Sequence, residues 1–471
     1  MVLLIFDELP TTALLDGSAD ISKSRFPNFH RLGTESTWYR NNTTVADFTV
    51  RAVPAIMTGR TPQGIYPDFR DYGESIFSFL GGAGYSLRTA EIFTQLCPPS
   101  ICPAEQRPQI DPLPGETPLD FGQRILRSVP DRTTQRNRWI NGLRQLKDGE
   151  AAVGHFLFPH APYTFLPNGM RYEDLQRRRP VVGGPDDTIL DRPGLIGIYQ
   201  QRLLMQLGFA DRLLGRVMRA IEASGAWDRA TVVVTADHGI SLDPGTSRRT
   251  VQKESRYGIG MTPLFVKLPG QERGGRSEAM TETTDILPTI ASAIGRLESL
   301  HPTTGVPVST IPAGREPGIQ RSDGLTFRFT RKGARKWLSR QAERQAERFG
   351  DRGLAALGSQ AERIGGRSPA RSRDWRRLVE LPDLPRLRSE RRKAYLPALI
   401  EGFVRRGRKL PVGTELLLSL GGRWVAGSPV FEADGRRAFS FMVHPRLLPD
   451  RKLRKLEIFR VTRSGRAVRV L

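Results

Sequence analysis

With 471 residues, the chain exceeds the roughly 250–300 residues at which single cores stop growing, so a full α/β core plus at least one further unit is expected. The formal charge of +23 and a pI near 10.8 point to anionic partners: phosphate-rich substrates, acidic lipid headgroups or polyanions. No stretch reaches the roughly 18 consecutive apolar residues of a membrane span, and Val2–Phe6 is too short for a signal-peptide core.

The run Val2-Leu3-Leu4-Ile5-Phe6, ended by Asp7-Glu8, predicts a strand buried on both faces of a parallel sheet. It stands almost at the first residue, which leaves room for a preceding segment. Cys97 and Cys102, the two cysteines, have four residues between them in a Pro-containing loop. They suit either a small disulfide-closed loop of an oxidising compartment or two unpaired thiols. Ala151 to Phe158 predicts a second buried strand, closed by Pro159-His160-Ala161-Pro162.

Leu203, Leu207, Ala210, Leu214, Val217 and Ile221 recur at helical spacing, with Arg202, Arg212, Arg216 and Arg219 on the far face. That helix leads into the strand Ala230 to Ala236, which stops abruptly on Asp237-His238-Gly239. The helix-then-strand alternation predicts a doubly wound, mostly parallel sheet flanked by helices. In such sheets ligands sit beyond the carboxyl ends of the strands, where Asp237 and His238 emerge as a metal-capable pair; a turn-capping Asp beside a solvated His is the alternative. Leu264–Lys267 reads as a further strand and Asp285–Ala291 as a helix.

From about Arg315 the sequence turns Arg-, Gln-, Glu- and Gly-rich. Residues 328–409 hold 24 lysines and arginines against 9 acids, which is +15 of the total +23. Arg340 to Phe349 predicts a solvated helix. Short strands follow from Gly413, at 416–420, 423–425, 438–443 and 456–461. The expected division is a catalytic domain over 1–312, a basic, partly helical linker over 313–411, and a small β-rich domain over 412–471. An anionic membrane surface is the partner expected for 328–409. Sparse aromatic interleaving there argues against nucleic acid.

Thr49-Val50-Arg51-Ala52-Val53-Pro54-Ala55-Ile56-Met57-Thr58-Gly59 carries a hydroxyl nine and ten residues before a Thr-Gly pair. It resembles the nucleophile segment of the alkaline phosphatase/sulfatase superfamily. The remaining motifs resemble that family in its order: Asp7-Glu8, the segment from His155 to Tyr163 with His160, Asp237-His238-Gly239, and Thr284 to Thr289. The resemblance covers roughly residues 1–300 and implies an alkaline phosphatase-like fold with Thr49 as nucleophile.

It also implies one divalent ion (Mn, Zn, Mg or Ca) held by Asp7, Glu8, Thr49, Asp237 and His238. The mixed oxygen and nitrogen donors suit Mn²⁺ or Zn²⁺ better than a pure calcium cage. For Glu8, an exposed strand-end carboxylate is the alternative. His160 and His155 are expected to hydrogen-bond the transferred group or protonate the leaving oxygen, although His155 also fits a core histidine. Arg51 and Lys253 are expected to bind substrate, Lys253 standing 15 residues after His238.

Sulfatases of this superfamily share a Cys/Ser-x-Pro-x-Arg signature whose Cys or Ser becomes an aldehyde. Thr49 is followed instead by Arg51 and Val53, and threonine cannot yield that aldehyde. Cys97-Pro98-Pro99-Ser100 lacks the arginine, since Ile101 stands there, and is read as a decoy. The resemblance therefore implies transfer or hydrolysis of a phosphoester group, on a substrate such as a lipid or envelope polymer, at an extracytoplasmic, membrane-associated location. Sulfate-ester hydrolysis, or a polyanion-binding scaffold with a degenerate site, are the other readings.

Overall fold

The computed structural model describes residues 1–102, 110–128, 132–172, 187–350, 354–355, 357–369, 377–382, 396–433, 435–448 and 455–471. It divides into two compact units. The first comprises 1–14, 28–160 and 213–338, and the second 15–27, 161–212 and 339–471.

The first unit is built on seven strands: β1 Val2–Asp7, β2 Thr37–Tyr39, β3 Ser86–Ala90, β4 Glu150–Pro159, β5 Val232–Ala236, β6 Leu264–Lys267 and β7 Gly275–Ser277. Their order is β3-β4-β1-β5-β6-β2-β7. The first four in that order are parallel, β6 runs antiparallel to β5 and to β2, and β7 lies parallel to β2. This is the mostly parallel α/β sheet that the apolar runs predict. Each residue of β1 and β5 is buried, as a strand covered on both faces requires. The outer β7 is short and exposed, which blunts the sheet edge.

Among the described residues, nine α-helices accompany the strands: α1 Pro27–Glu35, α2 Thr49–Thr58, α3 Ile76–Gly82, α4 Pro118–Ser128, α5 Arg132–Gly142, α6 Pro193–Ala223, α7 Arg256–Gly260, α8 Ile286–Ala293 and α9 Arg331–Phe349. Val53, Ile56 and Met57 of α2, Phe77 and Leu80 of α3, and Leu287 and Ile290 of α8 close over Leu3 and Ile5 of β1. The segment before α8 is a scaffold. The Asp285 carboxylate accepts the N–H groups of Glu282 and Val306 and pairs with Arg315.

The stripe of α6 is buried at all six expected positions, and Arg212 and Arg219 are exposed. Arg202 and Arg216 depart from the expected solvated face. Arg202 donates to the Tyr172 hydroxyl at 3.0 Å and Arg216 to Asn137 at 3.0 Å. Cys97 and Cys102 form a disulfide, which resolves that alternative. The buried Glu91 carboxylate holds its start by accepting the N–H groups of Leu96 and Cys97.

A two-stranded sheet, β8 Gly318–Gln320 and β9 Thr326–Arg328, completes the first unit. The second contains β10 Val379–Glu380, β11 Leu399–Val404, β12 Glu415–Leu420, β13 Arg423–Pro429, β14 Phe431–Ala433, β15 Arg436–Met442, β16 Leu456–Val461 and β17 Ala467–Arg469. They form two four-stranded antiparallel sheets, with Ile400, Leu416, Leu418, Phe439, Phe441 and Ile458 in their shared core. β10 and β11 lie within 313–411, ahead of the four strands legible in the sequence. No helix among the described residues is long and apolar enough to cross a membrane.

Candidate active site

β1 lies between β4 and β5 with both neighbours parallel, Ile5 opposite His155 on one side and Thr235 on the other. The carboxyl ends of all three strands therefore emerge together. Asp7 ends β1, Asp237 and His238 follow β5, and His160 follows β4. The Asp237 N–H donates to the Phe6 carbonyl at 3.0 Å, locking two of these ends side by side.

Asp7, Asp237 and His238 are buried and offer one donor atom each, all within 4.8 Å of one another. One oxygen of Asp237 accepts the N–H groups of Glu8 at 3.1 Å and His238 at 2.6 Å. The other, with Oδ1 of Asp7, is buried without a hydrogen-bond partner. Burial, reinforced by the neighbouring charges of Asp237 and Glu8, pushes the Asp7 carboxyl well above the usual range.

His238 Nδ1 lies 2.9 Å from the Gly239 carbonyl. A carbonyl can only accept, so the ring proton sits on Nδ1 and the Nε2 lone pair is free to face the carboxylates and Thr49. Gly239 is needed for close approach, since a Cβ there would lie 2.4 Å from the Gly258 carbonyl oxygen. Two orphaned carboxylate oxygens and one imidazole lone pair fit a divalent cation.

Thr49 opens α2, and its Oγ1 lies 3.3 Å from His238 Nε2. The preceding Phe48 is extended and gives no side-chain cap, so the positive end of α2 stays available to negative charge at the hydroxyl. Two residues earlier, Asp47 is fully buried. One oxygen accepts the Val251 N–H at 3.0 Å and the other has no partner. Burial pushes its carboxyl up, against the opposing charges of His238 and Arg51. Only its distance of two residues from Thr49 hints at it in the sequence.

Glu8 is buried rather than exposed, in a left-handed turn with φ 56°. Its carboxylate is not among the clustered donors. It accepts Arg248 at 3.2 and 3.3 Å and pairs closely with Arg249, and these cations with His160 hold it well below the usual carboxylate range against the cost of burial. Arg249 in turn donates to His160 Nε2 at 2.8 Å, which leaves the His160 proton on Nδ1. Arg248 and Arg249 share no pattern with a known motif and were legible only as adjacent cations downstream of His238.

Thr49, His238, His160 and Arg249 open onto a cleft of about 260 Å³, walled further by Phe48, Phe93 and residues of α4. His155 is buried beneath it, Nε2 3.7 Å from Asp7. Neither ring nitrogen has a hydrogen-bond partner, and burial lowers its pKa to about 4. Arg51 donates to the backbone and side chain of Gln320, and Lys253 is an exposed turn residue. Neither lines this cleft, whose cations are Arg249 and Arg127. Of the basic stretch 328–409, α9 presents Arg331, Lys332, Arg335, Lys336 and Arg340 to solvent. Residues 351–353, 356, 370–376 and 383–395 of that stretch lie outside the described residues.

Residues 155–296 match the family model described as Sulfatase. His155, His160, Asp237, His238 and Lys253 fall inside the matched stretch; Asp7, Glu8 and Thr49 fall outside it.

An endo-4-O-sulfatase of Bacteroides thetaiotaomicron is 27% identical over 149 residues, 30% of this chain and 28% of that protein. The multifunctional alkaline phosphatase superfamily protein PehA of Trinickia caryophylli is 33% identical over 88 residues, 18% of this chain and 16% of that one. The chain thus spans less than a third of either relative. The crystal structure of the lipoteichoic acid synthase LtaP from Listeria monocytogenes superposes with a TM-score of 0.43 at 14% identity, covering 73% of this chain and 90% of that one.

Proposed function

We propose that the chain is a metal-dependent hydrolase or transferase of phosphoesters that uses Thr49 as its nucleophile. The observation that carries this reading is the Thr49 hydroxyl at the head of α2, 3.3 Å from His238 Nε2 and beside two buried carboxylates with unpartnered oxygens. Asp7, Asp237, His238 and the Thr49 oxygen would hold the cation. When bound, a divalent ion supplies charge that favours the threonine alkoxide and neutralises the ester oxygens.

The chain's own residues supply the rest. The positive end of α2 favours negative charge on Thr49 Oγ, which attacks phosphorus while the ester oxygen departs. His160, its Nε2 engaged by Arg249, donates a hydrogen bond from Nδ1–H to that leaving oxygen, and the proton given up by the Thr49 hydroxyl passes through water to the departing alcohol. Arg249, anchored on Glu8, faces the transferred anion. Water or an acceptor alcohol then releases the phospho-threonine. His155 stays neutral behind Asp7 and contributes packing at the carboxylate. Substrates in view are anionic phosphoesters, such as those of lipids or envelope polymers.

A second reading, sulfate-ester hydrolysis, is favoured by the endo-4-O-sulfatase among the relatives. It must operate without the aldehyde that cysteine or serine provides. Incubating metal-loaded protein with a phosphodiester and with a sulfate ester of the same alcohol, then mapping phosphorylated peptides, separates the two. Turnover of the phosphodiester with transient phosphate on Thr49 supports the proposal; turnover of the sulfate ester alone rejects it.

A further inference from the structure

Helix α4 has two apolar faces where a surface helix needs one. Phe121, Gly122 and Ile125 are buried. About 100° or more around the helix, Leu119, Gln123 and Leu126 recur at i, i+4 and i+7 and line the cleft that holds Thr49 and His238. Leu119 is 40% exposed, so it is not consumed by the core. Gly122 seats the helix: a Cβ there would lie 2.5 Å from the Phe93 ring and 3.0 Å from Val50 of α2. Its absence brings α4 against the helix that carries Thr49, and places Phe93 in the same wall.

The wall comprises Phe48, Phe93, Leu119 and Leu126, with Gln123 and Arg127 of α4 paired to one another at 3.2 Å, while Arg249 and the histidines line the cleft with Thr49. Leu119 to Leu126 spans about 10 Å at the helical rise. A hydroxyl-rich substituent lying along this wall would lose water and find only the Gln123–Arg127 pair of α4 as polar partners among the wall leucines and phenylalanines, at a cost of about 1–3 kcal/mol for each unpaired hydroxyl. A hydrocarbon substituent would instead gain by leaving water.

We infer that the substrate is an anionic ester whose organic group is a hydrocarbon rather than a sugar or polyol, and that Phe48, Phe93, Leu119 and Leu126 select it. This rests on the phosphoester reading above and adds to it the identity of the alcohol.

Symmetric dialkyl phosphates test it, because either substituent can occupy the wall and the leaving alcohols differ little in reactivity. With metal-loaded protein, kcat/KM measured by phosphorus NMR rises more than about tenfold from dimethyl to dibutyl phosphate and rises again to dioctyl phosphate. Dibutyl phosphate exceeds bis(glyceryl) phosphate by at least that factor. The double variant Leu119→Gln, Leu126→Gln, checked for an unchanged fold by circular dichroism, collapses the dioctyl-to-dimethyl ratio toward one. A flat alkyl series, or preference for bis(glyceryl) phosphate, in an active enzyme overturns the inference and leaves the phosphoester reading standing. Absence of turnover with every member removes the phosphodiester reading and the inference with it.

Discussion

The Thr49 hydroxyl stands 3.3 Å from Nε2 of His238, although 189 residues separate them in the chain. Two independent local features make the contact. The Asp-His-Gly turn after β5 fixes the ring by its Nδ1 bond to the Gly239 carbonyl, and α2 begins on Thr49 with no capping side chain in the way.

The first prediction concerns that hydroxyl. Thr49→Ala should lower kcat by at least about a thousandfold, whereas Thr49→Ser should retain activity within about tenfold. Steady-state kinetics on a phosphodiester, with thermal denaturation as a fold control, would decide it. An alanine variant as active as the parent would remove Thr49 from the chemistry.

The second concerns the buried acids. Burial beside Asp237 and Glu8 makes the ionised Asp7 carboxylate costly in the metal-free protein, and Asp7→Asn removes that titrating group. In excess chelator the variant should be more stable than the parent by about 1–2 kcal/mol, while elemental analysis after metal loading should show the bound ion lost. A variant that keeps its metal and is less stable when stripped contradicts the assignment.

How the sequence announced these residues depends on how local their signal is. Asp237 and His238 end a β-branched strand, and parallel pairing of β1 with β4 and β5 suffices to bring Asp7, His160 and His238 to one edge. Thr49 was legible from its spacing to Thr58-Gly59. Arg249 was not, because its role comes from a pairing with Glu8 across 241 residues. The cleft wall was hidden for a related reason. Leu119 and Leu126 look like any core leucines until packing decides which face of α4 is covered. The interleaving of 15–27 and 161–212 with the C-terminal strands in one unit likewise leaves no trace in composition.

The third prediction separates two roles for Glu8. If it anchors Arg248 and Arg249, Glu8→Gln should keep a stoichiometric metal ion yet raise KM for an anionic ester about tenfold or more. It should also cost about 2–3 kcal/mol, below the full price of a broken buried pair because Arg249 is 28% exposed. Loss of the metal ion in this variant would make Glu8 a ligand.

The fourth is a pH dependence in the second unit, far in sequence from the metal-capable residues. Burial, with a smaller contribution from the charge of Arg446, lowers the His444 pKa from 6.5 to about 4. Its Nδ1 accepts the Arg446 N–H at 3.3 Å, a bond that protonation would remove. The unfolded chain takes up a proton as pH falls below about 6.5, whereas folded His444 stays neutral until about 4. The folded state therefore binds fewer protons in that window, and stability declines as pH falls through it. Partial exposure limits the decline from this group to about 1–2 kcal/mol. Other groups titrate in the same range, so the discriminating quantity is the difference between parent and His444→Asn, which keeps an acceptor but carries no titrating ring. Urea unfolding at pH 7.5 and pH 5 should show a smaller loss in the variant. Equal losses in the two proteins would mean that His444 is protonated as readily in the folded chain as in the unfolded one.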